Sequence, residues 1–218
     1  MAALSRVLAV VVASISVVIP SVLSAQRNAA WELGLQVMSS PDVSKRDLWF
    51  GGQIEGIRQS AVALRASTDL LHLGPVRLRY SAQLLPVAML SGTERYQKLS
   101  GDGRTIYVLG GVTRSIGVGL VPVGLDLGVD LGSRLRAQVG GAAGIMRFSQ
   151  NIPVAGARQR NFTAEADAML LWNAGHDRWL QLGMRWKHIS NGYTAYENPG
   201  IDNRMLVAGF STALRRRR

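Results

Sequence analysis

The feature that most constrains the fold is a strict alternation of apolar and other residues, which recurs along the chain. In residues 31–37, the apolar side chains of Trp31, Leu33, Leu35 and Val37 share one face. The same alternation runs through residues 76–84, 125–131, 135–139, 162–172, 179–190 and 205–214, and more weakly through residues 59–71 and 105–119. A period of two is typical of β-strands whose two faces meet different environments. The sequence therefore predicts an all-β fold of about eight strands.

Two segments between the predicted strands are polar and rich in turn-forming residues. Residues 39–58 and 91–103 are therefore predicted to be loops. Gly132 and Ser133 separate two alternating runs, which predicts a tight hairpin at that point. The chain contains no cysteine, so its fold must be stable without disulfide bonds.

Charged side chains on the second face of the strands bear on the choice between a soluble sandwich or barrel and a membrane barrel. They occur as pairs of like charge, namely Arg77 with Arg79, Asp126 with Asp130, and Glu165 with Asp167. In a soluble protein they would face solvent, whereas in a membrane barrel they would line the interior and pair across strands. Strands close to the roughly ten residues that span a bilayer, with tryptophans near their ends, favour the membrane barrel. The prediction is an antiparallel eight-stranded transmembrane β-barrel of the outer membrane, which leaves no unpaired strand edge in lipid.

The N-terminal segment has the layout of a secretory signal peptide. Arg6 precedes an apolar run over residues 7–19, which is followed by Pro20 and then by small residues. The run is shorter than the roughly 20 residues of a membrane-spanning helix, although an uncleaved N-terminal anchor is the alternative. We expect residues 1–24 to be the signal peptide and residues 25–218 to form a single β-barrel domain.

The chain is basic, with 25 lysines and arginines against 14 aspartates and glutamates and a net charge of +11. Residues 215–218 are four consecutive arginines. For an exported protein this charge favours anionic partners such as phosphorylated lipid headgroups or surface polysaccharide, and not nucleic acid. The alternative is a general arginine bias of the composition, because Lys45, Lys98 and Lys187 are the only lysines.

A candidate catalytic group lies near the C-terminus, where a histidine, a serine and an aspartate occur close together as His188, Ser190 and Asp202. Positions i and i+2 of a strand project to the same face, so His188 and Ser190 should be neighbours. They share the apolar face of their strand with Leu182 and Trp186 and would face lipid, a costly place for polar groups without a role. An imidazole can take the proton of a serine hydroxyl, and a carboxylate can orient the imidazole. The alternative is that both are polar residues at the end of a strand.

This motif and its surroundings resemble the outer-membrane lipid A 3-O-deacylase family. The resemblance rests on His188-Ile189-Ser190-Asn191 and Asn198-Pro199-Gly200-Ile201-Asp202, with further matching stretches at residues 153–158 and 161–163. Members of this family are eight-stranded barrels whose site faces the outer leaflet. They hydrolyse the ester-linked 3-hydroxyacyl chain at position 3 of lipid A with a Ser-His-acid triad and without a metal. The resemblance implies the same fold and activity for this chain, with no cofactor.

The resemblance also implies roles for individual residues of the triad. Ser190 matches the nucleophile and His188 the general base. Asp202 falls at the position of the acid, where the family pattern has a glutamate, and Glu197 is the alternative acid.

The donors for the oxyanion are implied by the resemblance as well. The candidates are the side chain of Asn198 and the backbone amides that follow Ser190, those of Asn191 and Gly192. Two further departures from the family are visible. The glycine after the serine is shifted by one position, and the chain ends on arginines rather than on an aromatic residue.

The expected function is that of an outer-membrane serine esterase acting on lipid A. The expected partners are lipid A or lipopolysaccharide as the substrate, the lipids of the outer membrane and, as a further candidate, a second copy of the chain. Two alternatives remain open. One is a non-catalytic barrel in which the motif only decorates a strand end, and the other is an esterase or phospholipase that acts on a different lipid.

Overall fold

Eight antiparallel strands close into a barrel in which each strand pairs with the next and β8 pairs with β1. This computed structural model describes residues 31–46, 51–99, 102 and 105–214, so the predicted signal peptide and the arginines at 215–218 lie outside the described residues. The strands are β1 Trp31–Ser39, β2 Glu55–Leu73, β3 Val76–Leu99, β4 Thr105–Asp130, β5 Leu135–Ile152, β6 Arg158–Gly175, β7 Arg178–Ser190 and β8 Ile201–Ala213. The predicted eight-stranded β-barrel is confirmed. Within the described residues, no helix is long and apolar enough to cross a membrane.

The outer wall of the barrel is apolar because alternate residues of its strands point outward. Leu35, Leu125 and Leu182 are 47%, 51% and 65% exposed, whereas the inward-facing Gln36 and Gln181 are buried. An apolar wall around a polar interior is the arrangement that a lipid bilayer requires of a barrel. The protein is therefore a barrel of the outer membrane, as predicted.

Ion pairs between strands occupy part of the barrel interior. The pairs join Arg65 to Asp126, Arg77 to Asp69 and Asp130, Arg79 to Glu32 and Asp69, Arg136 to Asp130, Arg185 to Glu165 and Asp167, and Lys187 to Glu165. Charges buried in an interior are stable only when partners of opposite sign and hydrogen bonds compensate the loss of water. The predicted pairing of interior charges across strands is confirmed.

The two ends of the barrel differ in the length of their connections. Short turns follow β2, β4 and β6, whereas longer connections follow β1, β3, β5 and β7. Short turns are typical of the periplasmic end of such barrels, and long loops of the extracellular end. Because β7 runs toward a long connection, His188 and Ser190 lie near the extracellular end. Beneath them the interior is filled by buried apolar side chains, which include Ile57, Phe148 and Ile189.

The structure corrects the predicted limits of both loops. Residues 91–99 belong to β3, and their pairing with β4 continues as far as Leu99 and Thr105. Residues 55–58 belong to β2. The outer part of β3 carries polar side chains on its outward face, including Thr93 and Arg95, so it lacks the alternation that marks a strand in lipid.

A proline within β4 explains why the sequence pattern indicates two segments where the structure has one strand. Residues 105–119 and 125–131 were predicted as separate strands, yet residues up to Asp130 form one strand. Pro122 and Val123 both point outward, and the register with β5 shifts at this position. Proline cannot donate a ladder hydrogen bond and is therefore found at such bulges. The alternation changes phase there although the strand continues.

Replacing Arg185 by alanine is expected to destabilise the barrel by about 3–5 kcal/mol, because two buried carboxylates lose a partner. In the native barrel, the Arg185 guanidinium lies 2.8 Å from Asp167 Oδ2 and 3.2 Å from Glu165 Oε2. The measurement is urea unfolding of the protein in lipid vesicles, followed by tryptophan fluorescence. Arg178→Ala is the matched control, since Arg178 is exposed at the start of β7. Equal free energies of unfolding for the two variants would contradict the prediction.

Candidate active site

His188 and Ser190 lie on the outer wall of the barrel, at the end of β7. The strand alternates between buried inward residues, including Lys187 and Ile189, and the partly exposed outward residues His188 and Ser190. This is the lipid-facing side predicted from the alternation. On the neighbouring strand β6, Phe162 is the direct cross-strand partner of Ser190. The serine is thus flanked by an imidazole along its own strand and by an aromatic ring across the sheet.

Asp202 is the cross-strand partner of His188 on β8 and holds its imidazole. Nδ1 of His188 lies 2.5 Å from Oδ1 of Asp202, and the backbone N–H of Gly52 donates to Oδ2 at 2.8 Å. A carboxylate can only accept, so Nδ1 carries the hydrogen and Nε2 is the ring nitrogen that can accept a proton. The Asp202 side chain is 4% exposed, which shields this hydrogen bond from water.

Two glycines permit the close packing around this hydrogen bond. A Cβ at Gly200, where φ is +65°, would lie 2.8 Å from Cε1 of His188. A Cβ at Gly52 would lie 2.5 Å from Cγ of Asp202. The segment that precedes β2 is held against the start of β8, because the N–H of Ile54 donates to the carbonyl of Gly200 at 3.1 Å. A side chain at either glycine would displace one member of the pair.

Asn191, which is completely buried, organises the loop between β7 and β8. Its backbone N–H donates to Oδ1 of Asn198 at 2.7 Å, and its side-chain Nδ2 donates to the carbonyl of Glu197 at 2.6 Å. The hydroxyl of Thr194 donates to the Asn191 carbonyl at 2.7 Å. The N–H of Asn191 is therefore used within the loop. Because Oδ1 of Asn198 accepts this bond, the Nδ2 group of Asn198 is the end of the amide that can donate to a ligand.

The remaining residues singled out in the sequence occupy two different places. Gly192 follows Asn191 with φ +62°, and a Cβ there would lie 2.8 Å from the ring of Phe162. The chain just after Ser190 is thereby packed onto this ring. The Glu197 carboxylate lies beside Gly156 in the connection before β6, where a Cβ would be 2.5 Å from its Oε2. The carboxylate hydrogen-bonded to Nδ1 of His188 is that of Asp202.

An apolar groove on the outer wall leads to Ser190. Consecutive cross-strand partners from β3 to β7 form one row, which consists of Leu84, Leu120, Ile145, Phe162 and Ser190. The four apolar members of this row line a groove of about 670 Å³, and Thr194 of the loop after β7 also contributes to its wall. A hydrocarbon chain is the kind of ligand that such an open apolar groove in a lipid-facing wall can accept.

The arrangement has the components of nucleophilic acyl transfer. It combines a hydroxyl, an imidazole with a defined tautomer, a shielded carboxylate and an amide donor at the end of an apolar groove. Sequence reasoning identified each of these side chains but missed the Gly52 amide that supports Asp202. The only local signal was the Gly51-Gly52 pair in a predicted loop, and a local signal cannot indicate which strand such a loop contacts.

Comparisons with known proteins give a family and a set of similar folds. The family model described as Lipid A 3-O-deacylase (PagL) matches residues 89–211. No curated protein matches the chain. The outer membrane enzyme PagL has a crystal structure that is 13% identical with a TM-score of 0.47, covering 82% of this chain and 97% of that chain. The structure of Neisserial surface protein A is 11% identical with a TM-score of 0.46, covering 84% of this chain and 96% of that chain. The structure of the outer membrane protein AlkL is 13% identical with a TM-score of 0.45, covering 87% of this chain and 92% of that chain.

Replacing Asn191 by alanine is expected to loosen the loop between β7 and β8, because the buried side-chain hydrogen bond to Glu197 is lost. Amide hydrogen exchange within residues 192–199 should accelerate about tenfold, as expected for the loss of one buried hydrogen bond. The measurement is hydrogen exchange followed by mass spectrometry. The control is Tyr196→Ala, since Tyr196 lies in the same loop and is fully exposed. Equal acceleration in the two variants would show that Asn191 does not hold the loop.

Proposed function

The chain belongs to the lipid A 3-O-deacylase family, and we propose on this basis that it is a serine esterase that removes the 3-hydroxyacyl chain from position 3 of lipid A. The observation that carries the proposal is the hydrogen bond of 2.5 Å between His188 and Asp202. It lies on the lipid-facing wall, and His188 is two residues before Ser190 on the same strand. A hydrolytic group in this position meets its substrate within the outer leaflet. The lipid need not leave the membrane to be cut.

In the proposed first half-reaction, Ser190 is the nucleophile. Its Oγ attacks the carbonyl carbon of the ester while Nε2 of His188 takes the hydroxyl proton. Asp202 keeps the hydrogen on Nδ1 and stabilises the imidazolium that forms. When the tetrahedral intermediate collapses, the bond from the carbonyl carbon to the sugar oxygen breaks. The imidazolium returns its proton to that oxygen, and the acyl chain stays on Ser190 as an ester.

In the proposed second half-reaction, water replaces the sugar. Nε2 of His188 accepts a proton from the water as its oxygen attacks the acyl carbon. The second tetrahedral intermediate then expels Oγ of Ser190, which recovers a proton from the imidazolium. The products are a free 3-hydroxy fatty acid and a lipid A with a free hydroxyl at the cleaved position. Each step conserves charge and requires no metal or other cofactor.

The oxyanion of both intermediates needs hydrogen-bond donors, each worth about 10²–10³ in rate. We propose the Nδ2 group of Asn198 as the first donor, because Oδ1 of the same amide accepts from Asn191 and fixes its direction. The N–H of Gly192 is the second candidate. The Asn191 N–H is engaged in the loop, so we assign Asn191 a positioning role.

The acyl chain is proposed to lie in the apolar groove. Phe162 adjoins Ser190 in the cross-strand row, and Ile145 and Leu120 continue the row away from the serine. A chain bound along this row keeps its hydrocarbon in contact with apolar side chains and directs its ester end to Ser190. Burial of each methylene is worth about 0.8 kcal/mol relative to water. The acyl chain is transferred from the bilayer and not from water. Binding is therefore favoured only by the amount by which its contacts in the groove are more favourable than its contacts with neighbouring lipids.

Replacing Ser190 by alanine is expected to abolish deacylation without affecting insertion of the barrel, because only the nucleophile is removed. The measurement is mass spectrometry of lipid A from cells that express the wild-type protein, the variant or neither. Wild-type protein should remove the mass of one 3-hydroxyacyl group, and the variant should leave lipid A unchanged. Heat-modifiable mobility in gels reports whether the barrel is folded. A wild-type protein that leaves lipid A intact would favour a non-catalytic barrel, and loss of an acyl group in the variant would exclude Ser190 as the nucleophile.

Replacing Asp202 by asparagine is expected to reduce the rate constant of deacylation by about 10³–10⁴, because the imidazole is no longer held in the required tautomer. Glu197→Gln is the matched control, since Glu197 is the other carboxylate of the motif and its carboxylate lies beside Gly156. The control should retain a rate constant within about threefold of the wild type. The measurement is the time course of lipid A hydrolysis by purified protein. A larger loss in Glu197→Gln than in Asp202→Asn would assign the acid to Glu197 instead.

A further inference from the structure

Three arginines lie together on the outer wall at the extracellular side of the groove. Arg147 of β5 and Arg160 of β6 are direct cross-strand partners, and Arg158 lies two residues before Arg160, at the start of β6. All three side chains are exposed and line the groove that ends at Phe162. Like charges directly opposite each other on one face of a sheet repel. The pair formed by Arg147 and Arg160 is therefore unfavourable unless an anion compensates it.

The arginines inside the barrel are compensated, in contrast to this group. Arg79 and Arg185, for example, each form ion pairs with carboxylates at 2.8 Å. Within the part of the chain that the structure describes, Arg147, Arg158 and Arg160 have no such partner. The inward arginines are thus neutralised by the protein's own carboxylates, whereas the outward group is not.

The arginines lie just above the row that ends at Ser190. Val118, Arg147 and Arg160 are consecutive cross-strand partners, two residues beyond the apolar row on the extracellular side. Two residues along a strand correspond to about 7 Å, and neighbouring strands lie about 5 Å apart. The backbone of Arg160 therefore lies on the strand next to Ser190, displaced from it by two residues toward the extracellular side. Its side chain lines the groove together with Phe162, the cross-strand partner of Ser190.

We propose that Arg147, Arg158 and Arg160 bind the phosphate on the sugar that carries the scissile ester, and so act as the specificity-determining group of the enzyme. The inference rests on the proposed deacylase function and adds to it the recognition of the headgroup. A planar guanidinium donates two parallel hydrogen bonds to a phosphate, which fixes orientation as well as adding affinity. With phosphate held at the arginines and hydrocarbon in the groove below, the ester between them is directed to Ser190.

The test compares two lipids that differ in this phosphate. Bisphosphorylated lipid A carries it, whereas 4′-monophosphoryl lipid A lacks it and keeps the phosphate on the other sugar. The wild-type protein should cleave the bisphosphorylated lipid with a kcat/KM at least about tenfold higher, the effect expected for a charge-assisted hydrogen bond. In the double variant Arg147→Gln/Arg160→Gln this ratio should fall toward one. Arg147→Lys/Arg160→Lys, which keeps the charge but not the paired donors, should give an intermediate ratio.

The control is the double variant Arg134→Gln/Arg178→Gln, which removes two exposed arginines at the periplasmic end. It should retain the wild-type ratio. Heat-modifiable mobility establishes that every variant is folded.

Binding by the Ser190→Ala protein separates this inference from the proposed function. Its dissociation constants for the two lipids should differ by the same factor as the wild-type kcat/KM values. No hydrolysis by the wild-type protein, together with discriminating binding, would overturn the proposed function alone. Equal binding of the two lipids would overturn the phosphate site alone. Vesicles of phosphatidylglycerol that compete as well as bisphosphorylated lipid A would also overturn it, because the arginines would then recognise any anionic lipid.

Discussion

Closure of the hydrogen-bonded ring between β1 and β8 is the constraint on which the rest of the structure depends. Lipid offers no hydrogen-bond partners, so a strand edge left open in the bilayer would cost several kcal/mol for each unpaired group. Once the ring is closed, the inward or outward direction of each residue follows from its position along the strand. The outward apolar residues then contact lipid, and the inward-facing charged residues pair across strands.

The same geometry accounts for the position of the candidate active site. His188 and Ser190 point outward from β7, on the same face as its apolar residues. They therefore lie on the surface that contacts membrane lipid. Water is scarce there, which strengthens the hydrogen bond from His188 to Asp202 and makes the shielding of that carboxylate useful. The apolar row lies beside Ser190 on this surface, and the arginines lie on its extracellular side. In the function proposed above, the barrel wall acts both as membrane anchor and as substrate-binding surface.

The limits of sequence prediction in this chain have identifiable physical causes. Alternation was a reliable signal wherever one face of a strand meets lipid. It failed at the extracellular end, where residues 91–99 extend β3 and the outward residues Ser91, Thr93 and Arg95 are polar. It also failed at Pro122, because a bulge changes the phase without ending the strand. The alternation of the last strand begins only at residue 205, yet Asp202 is the second residue of β8 and lies opposite His188.

The sequence by itself determined the class of fold and the outward direction of His188 and Ser190, and its resemblance to a known family supplied the short list of candidate acids and donors. The fold class and the outward direction depend on periodicity and residue type, which are local. Only the tertiary structure decided that Asp202 contacts His188, that Gly52 supports it, and that an apolar row and an arginine group flank Ser190. Those contacts join residues that are distant in the chain. They depend on the register between strands, which is fixed by closure of the whole barrel and by bulges rather than by any single segment.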